Sequence, residues 1–411
     1  MKSIAIRGGT VVDATGERRA DVLVEDGRVS AVAEGGDADL RADVVLDAGG
    51  CLVAPGLVDL HTHLRQPGRE EAETVETGAR AAALGGFTCV LAMPNTTPAI
   101  DSAGVAREVL DLGRGACCEV RTSAAITVDR AGSQLAPMAE LAALGVRLFT
   151  DDGDGVQDPQ LMRRAMEYAR GLGVIVAEHC EDKALAAGGS MHEGAWSARL
   201  GLPGQPAEAE EVMVARDIAL ARLTGARVHF QHLSTAGSVD LVRAAKARGL
   251  DVTAEATPHH FTITHAEVAS YDPVFKVNPP LRTEADVAAV KAGLADGTID
   301  AIATDHAPHT QEVKEAPFDA APCGMLGLET ALALALTELP KAGLSVAEIV
   351  ALFTVRPAII AGPPRRLPRV RPSARCGGPG RTTPDRRTGC SGCGWPSARR
   401  RRPSAAGGRR R

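Results

Sequence analysis

Gly56-Leu-Val-Asp-Leu-His61-Thr-His63 is a short apolar run that ends on two histidines. Seven more strand-like runs follow, at 87–92, 120–126, 146–149, 174–177, 228–231, 252–255 and 299–302. Near-continuous apolar runs of this length suit strands covered on both faces. The gaps between them carry amphipathic, Ala-rich stretches such as 74–84, 159–171, 207–223 and 238–248. Eight strands alternating with helices over about 250 residues predict an α/β fold of the (β/α)8, TIM-type barrel class. A doubly wound sheet would carry a glycine fingerprint after its first strand, and no G-x-G-x-x-G follows Leu60.

In such barrels chemistry gathers at the C-terminal ends of the strands. Here the first strand ends in His61-Thr-His63, the second leads into Asn95, and the fourth ends in Asp151-Asp152. The fifth ends in His179, the sixth in His232 and the eighth in Asp305. Residues two apart on a strand share a face, so His61 and His63 reach one ion together. Any one of these residues alone reads as a rim or core side chain. Four histidines and two aspartates on five strand ends of one barrel converge on its mouth, which predicts a two-metal site. Imidazole and carboxylate without thiolate suit Zn²⁺, and a pair of such ions suits hydrolysis of an amide or related bond. Asp151 and Asp152 face opposite ways on a strand, and the spacing alone leaves open which one enters the site.

Outward from the barrel, residues 4–53 read as short strands joined by turns. Asp26-Gly27 between apolar stretches is a hairpin signal. They predict a small β domain over 1–54, a barrel over 55–361 and a tail over 362–411. The tail holds 15 Arg, no Lys and one acid, Asp385, for a charge of +14, while the rest of the chain carries -19. It has 8 Pro and 9 Gly but no Ile, Phe, Met or Tyr, too little apolar surface to order itself. We expect disorder there, or an out-of-frame reading of a GC-rich gene. Cys390 and Cys393 form a C-x-x-C with no second pair, so no zinc knuckle is expected, and with Trp395 as the tail's one aromatic no nucleic-acid partner is expected. The remaining cysteines read as reduced thiols in a chain without an export signal, as Arg7 interrupts the first apolar stretch. No run approaches the roughly 18 apolar residues of a membrane span. A cytoplasmic enzyme is the expectation.

Several longer motifs then carry a resemblance. Pro55-Gly-Leu-Val-Asp-Leu-His-Thr-His-Leu-Arg65, Met93-Pro-Asn-Thr96, Phe149-Thr-Asp-Asp-Gly153 and Glu178-His-Cys-Glu-Asp182 are four of them. Ala256-Thr-Pro-His-His260, Val277-Asn-Pro-Pro-Leu-Arg282, Ala303-Thr-Asp-His-Ala-Pro-His-Thr310 and Gly327-Leu-Glu-Thr330 are the others. Together they resemble the bacterial class I dihydroorotase family of the amidohydrolase superfamily, from the first residues to about Ala361. The resemblance implies zinc-dependent, reversible cyclisation of N-carbamoyl-L-aspartate to L-dihydroorotate in pyrimidine (UMP) biosynthesis. It implies one zinc on His61, His63 and Asp305, a second on His179 and His232, and Asp152 as the bridge. Relatives that bridge with a carboxylated lysine need a Lys near the fourth strand, and none lies between Lys2 and Lys183. Asp305 is then the catalytic proton carrier. His63, Arg65, Asn95, Asn278, His309, Cys323 and Gly324 are the implied substrate contacts, with Arg65 clamping a carboxylate. His259, His260 and His306 are expected to buttress the site, while His192, His229 and His265 read as structural.

The resemblance also implies that the family's C-terminal strands complete the small domain as a β-sandwich, where this chain has its Arg-rich tail. It leaves room for a homodimer and for aspartate transcarbamoylase as a partner. Two other readings stand beside it. One is a different cyclic-amide hydrolase of the allantoinase or hydantoinase type. The other is an inactive dihydroorotase-like partner of aspartate transcarbamoylase, against which all six ligands stand retained.

Overall fold

The computed structural model describes residues 3–34 and 41–361, so the expectations for the tail lie outside the described residues. Six strands come first: β1 (Ile4–Arg7), β2 (Thr10–Asp13), β3 (Gly16–Glu25), β4 (Arg28–Glu34), β5 (Val44–Asp47) and β6 (Leu52–Val53). The long β3 pairs antiparallel with β1, β2 and β4, while β5 and β6 add parallel edges on β1 and β2. Between β3 and β4 the chain reverses over Asp26 (φ +50°) and Gly27 (φ +73°). Two left-handed residues give the turn whose twist matches the strands it joins. One face of this sheet buries Ile4, Val11, Ala20, Val22 and Val24.

From Leu57 the chain runs through β7 (Leu57–Thr62), β8 (Phe87–Ala92), β9 (Glu119–Thr122), β10 (Leu148–Phe149) and β11 (Ile175–Glu178). An excursion holds the two-residue pair β12 (Met191–His192) and β13 (Gly204–Gln205). Then come β14 (Arg227–Phe230), β15 (Val252–Ala256) and β16 (Ala301–Ile302). Strands β7-β8-β9 form one parallel run and β10-β11-β14-β15-β16 another. Single bridges, Ala124 to Phe149 and Thr62 to His306, join the two runs into a ring of eight. All eight runs read from the sequence are barrel strands.

The helices begin and end where their residues dictate. Before Val75–Leu84, the Thr74 and Thr77 hydroxyls each accept the other's backbone N–H, a capping box. Pro159–Leu172 starts with Asp158 capping Gln160 N and stops at Gly173, left-handed at φ +67°. Its Met162, Ala165, Met166 and Ala169 form the helical stripe that faces the barrel. Glu208–Thr224 and Ala236–Ala247 complete the predicted four. With few aromatics, the core rests on Val, Leu, Ile and Ala around Phe87, Phe149, Phe230 and Phe353. No described helix is long and apolar enough to cross a membrane.

Candidate metal centre

Where the barrel strands end, six side chains meet. His61 and His63 leave β7 on one face, and Asp152 follows β10. His61 Nε2 lies 3.2 Å from Asp152 Oδ1 and His63 Nε2 lies 3.5 Å from Asp152 Oδ2. Across the same carboxylate, His232 Nε2 and His179 Nδ1 stand 3.7 and 3.9 Å from Oδ1. Asp305 Oδ1 faces His63 Nε2 at 2.9 Å and His61 Nε2 at 3.5 Å. Two groups of candidate ligands therefore form, His61-His63-Asp152 and Asp152-His179-His232, with Asp152 in both. His61 Nε2 and Asp152 Oδ1 are buried and have no hydrogen-bond partner. Unpaired buried polar atoms are costly, so orphaned nitrogen and oxygen lone pairs aimed at one point fit a cation.

The electrostatics agree. Burial disfavours charge on His61, yet Asp152 and Asp305 hold its imidazolium well above the ordinary histidine range. Burial alone would push the Asp152 carboxyl up, but His61 and His232 hold it well below the usual range. Asp305 is likewise held down, against burial, by His61 and His63. Here a proton answers a concentrated negative field, and a divalent ion would answer the same field.

The structure also separates the two aspartates. Asp151 Oδ1 accepts the N–H groups of Ile126 (2.8 Å) and Thr127 (3.0 Å), and its other oxygen accepts the Thr127 hydroxyl. Asp151 thus ties down the loop after β9, while Asp152 enters the mouth.

Above these groups opens a cavity of about 230 Å³. Its lining includes Arg65, Arg69, Asn95, Asn278, His309, Cys323 and Gly324. Asn95 Oδ1 meets His63 Nδ1 at 2.8 Å, and Asn278 Nδ2 lies 3.3 Å from His179 Nε2. The buried Arg65 donates from Nε to Pro308 O at 3.0 Å, with His309 Nε2 3.4 Å from its Nη2. Burial, with Arg69 beside it, lowers the Arg65 guanidinium to about 10, so it stays charged. His309 donates from Nε2 to Cys323 O at 2.7 Å, and burial with Arg65 nearby pulls it down to about 4.

Gly324 is committed differently from a free backbone donor. Its N–H bonds Lys276 O at 2.9 Å. A Cβ at this φ of +144° would sit 2.6 Å from Ala307 O and 2.9 Å from His309 Nε2, so only glycine fits. Three site residues also hold left-handed backbone, Arg65 at φ +60°, His232 at +31° and Asp305 at +47°.

Beneath lies a layer to which the sequence assigned no role in the site, His229 being read there as structural. Glu255, on β15, and His229, on β14, are buried under His61. Asp59 receives the N–H and hydroxyl of Thr304 and the N–H of His61. Glu181 lies 3.8 Å from His179 Nε2 and accepts from Gln205. A charged residue inside a strand of a closed barrel was the available signal, since barrel interiors are normally filled by branched apolar side chains. Of the expected buttresses, His306 faces Glu73 at 3.1 Å and His260 reaches Pro279 O at 3.0 Å.

Comparison with known proteins gives this geometry its context. Residues 50–238 match a family described as Dihydro-orotase-like. A dihydroorotase from Pelotomaculum thermopropionicum is 53% identical over 365 residues, covering 88% of this chain and 85% of that protein. One from Mycobacterium tuberculosis is 49% identical over 371 residues, covering 89% and 84%. Among solved structures, the L-hydantoinase (dihydropyrimidinase) from Arthrobacter aurescens superposes with a TM-score of 0.78 at 26% identity, over 88% of this chain and 83% of its own. The dihydropyrimidinase from Brevibacillus agri shares the fold at a TM-score of 0.73 and 24% identity, covering 88% and 82%. Half of the residues are kept across nearly nine-tenths of the chain, and on that ground it belongs to the dihydroorotase family.

Proposed function

We propose that this chain is a dihydroorotase working with two divalent ions, zinc being the natural pair for its imidazole and carboxylate donors. The observation that carries the reading is the shared Asp152: one unpartnered carboxylate oxygen faces two ligand groups beneath an arginine-lined cavity. His61, His63 and Asp305 would hold one ion, His179 and His232 the other, with Asp152 between them. Bound there, the ions would acidify a water and polarise a carbonyl oxygen.

This chain's own residues supply the rest. Arg65 pairs with the substrate carboxylate, and Asn95, Asn278 and His309 line the same cavity to orient the ring amide. Asp305, deprotonated, takes the proton of the attacking water. In the opening direction a carbon–oxygen bond forms, the carbon–nitrogen bond of the ring breaks, and Asp305 passes its proton to the departing nitrogen. Cyclisation reverses each step: the ureido nitrogen attacks the carboxyl carbon, gives up its proton, and water leaves. The same reading has the enzyme in the cytoplasm, as a homodimer or beside aspartate transcarbamoylase; sizing the full chain alone and with the transcarbamoylase tests both.

The deciding assay sets dihydroorotate against dihydrouracil, the same ring without its carboxylate, using the full chain with measured metal content. Two equivalents of metal, turnover of dihydroorotate alone, and its loss in Asp305→Ala support the proposal. Preferred turnover of dihydrouracil would turn the assignment to a dihydropyrimidinase-type activity.

A further inference from the structure

The mouth of the barrel is polar for a chemical reason already given, but the layer below it is polar without one. Glu255 is fully buried, on β15 inside the ring. Its Oε1 lies 2.9 Å from His61 Nδ1 and its Oε2 lies 3.0 Å from His229 Nε2. His229 is itself held, with Nδ1 2.9 Å from the Thr253 hydroxyl. Burying a carboxylate at this depth costs several kcal/mol unless its partners repay it, and branched apolar residues would fill the space without that cost.

One assignment of hydrogens satisfies the whole chain of contacts. The Thr253 hydroxyl donates to His229 Nδ1, His229 Nε2–H donates to Glu255 Oε2, and His61 Nδ1–H donates to Glu255 Oε1. Gln231 Nε2, 3.2 Å from the same His61 nitrogen, has Met93 Sδ as acceptor at 3.4 Å. With Nδ1–H committed to Glu255, it is Nε2, the nitrogen left without a hydrogen-bond partner, that can give up its proton to an arriving ion and turn its lone pair to the mouth.

We propose that Glu255 is a positioning residue for the metal centre: braced by His229, it locks the His61 ring in one tautomer and one orientation, with Nε2 aimed at the ion. Carboxylates that hold the far nitrogen of a ligating imidazole raise its basicity and fix its direction, and their loss costs about 10- to 100-fold in metal affinity. Glu255 also sets a buried negative charge against two divalent ions for which Asp152 and Asp305 provide only two. The inference rests on the metal-centre part of the proposed function and is independent of the substrate.

The test is metal binding by the full chain, read as Zn²⁺ affinity by chelator competition and as the visible spectrum of the Co²⁺-substituted protein. Glu255→Gln keeps the volume but cannot accept from both imidazoles. We expect its affinity for the ion at His61, His63 and Asp305 to fall about 10- to 100-fold and the Co²⁺ bands to shift, while the metal-free protein melts no lower than wild type. His229→Asn keeps Glu255 and removes its brace; a smaller loss in the same direction is expected, and this variant decides if Glu255→Gln does not fold. Unchanged affinity and spectrum in the folded variants would overturn the inference. Wild-type protein that holds two ions but leaves dihydroorotate intact would overturn the substrate reading and leave the role of Glu255 standing.

Discussion

The barrel strands and the N-terminal strands draw on the same residue types yet meet different fates. In β11 all four residues are buried, whereas three of the four in β5 are exposed. Val29, Val45, Leu46 and Leu52 in the N-terminal sheet are each about half exposed. A barrel strand is covered inside by its neighbours and outside by helices, so its apolar residues count twice. The N-terminal sheet gathers one small cluster of five buried side chains, with Ala5 and Val12 buried on its other face. Polar chemistry follows the better-packed region, where the ring of buried His, Asp and Glu repays its desolvation through its own ion pairs and hydrogen bonds.

The largest effect that would sharpen this contrast is chemical. Replacing Asp305 by Ala should lower dihydroorotate turnover about 10²- to 10⁴-fold with an unchanged far-UV spectrum; near-normal turnover would remove Asp305 from the mechanism. Next comes packing. Phe230→Ala, at a fully buried position on barrel strand β14 packed in the main core cluster, should cost about 3–5 kcal/mol in a urea titration. Val45→Thr, on the sheet's exposed strand, should stay within about 0.5 kcal/mol. Similar costs at both positions would break the contrast.

A third, smaller change concerns the cavity. Arg65→Lys keeps charge but loses the planar fork, and KM for dihydroorotate should rise about 10- to 100-fold with a lesser change in kcat. An effect confined to kcat would mean that Arg65 does not bind the carboxylate.

The smallest is a pH effect, and it too belongs to the barrel, because all eleven histidines lie at or after His61. Burial, with Arg282 nearby, pulls His192 down to about 4. Burial beside His259 holds His260 well below its usual range. Each is depressed on folding, so the unfolded chain binds the extra protons; the stability they contribute is present above about pH 6.5 and lost as pH falls toward 4. Metal-free protein should therefore weaken across that window, and His192→Gln should weaken less. Parallel curves for the two would assign the loss to other groups.

The strands and the meeting of six candidate ligands at their ends were legible because a barrel forces a simple rule: apolar run, then polar side chains at its end. What escaped the sequence depended on facing partners. Neighbouring Asp151 and Asp152 differ only in that the N–H groups of Ile126 and Thr127, some 24 residues away in the chain, claim one of them. Glu255 looked like an ordinary strand residue until His61, 194 positions earlier, came to stand beside it. His229 read as structural for the same reason, since only its contact with Glu255 links it to the site. The strands β10 and β16 are shorter than their apolar runs, and the ring there closes through single bridges rather than ladders.

The left-handed backbone at Arg65, His232 and Asp305 has a consequence on the scale of descent rather than of one molecule. Each such residue costs on the order of 1–3 kcal/mol that glycine would not. Drift alone would relax these three sites toward Gly or Asn, and a lineage that no longer needed the chemistry would gain stability by doing so. An arginine, a histidine and an aspartate in those conformations must be held there by the structure around them, at a cost in stability that glycine would not carry.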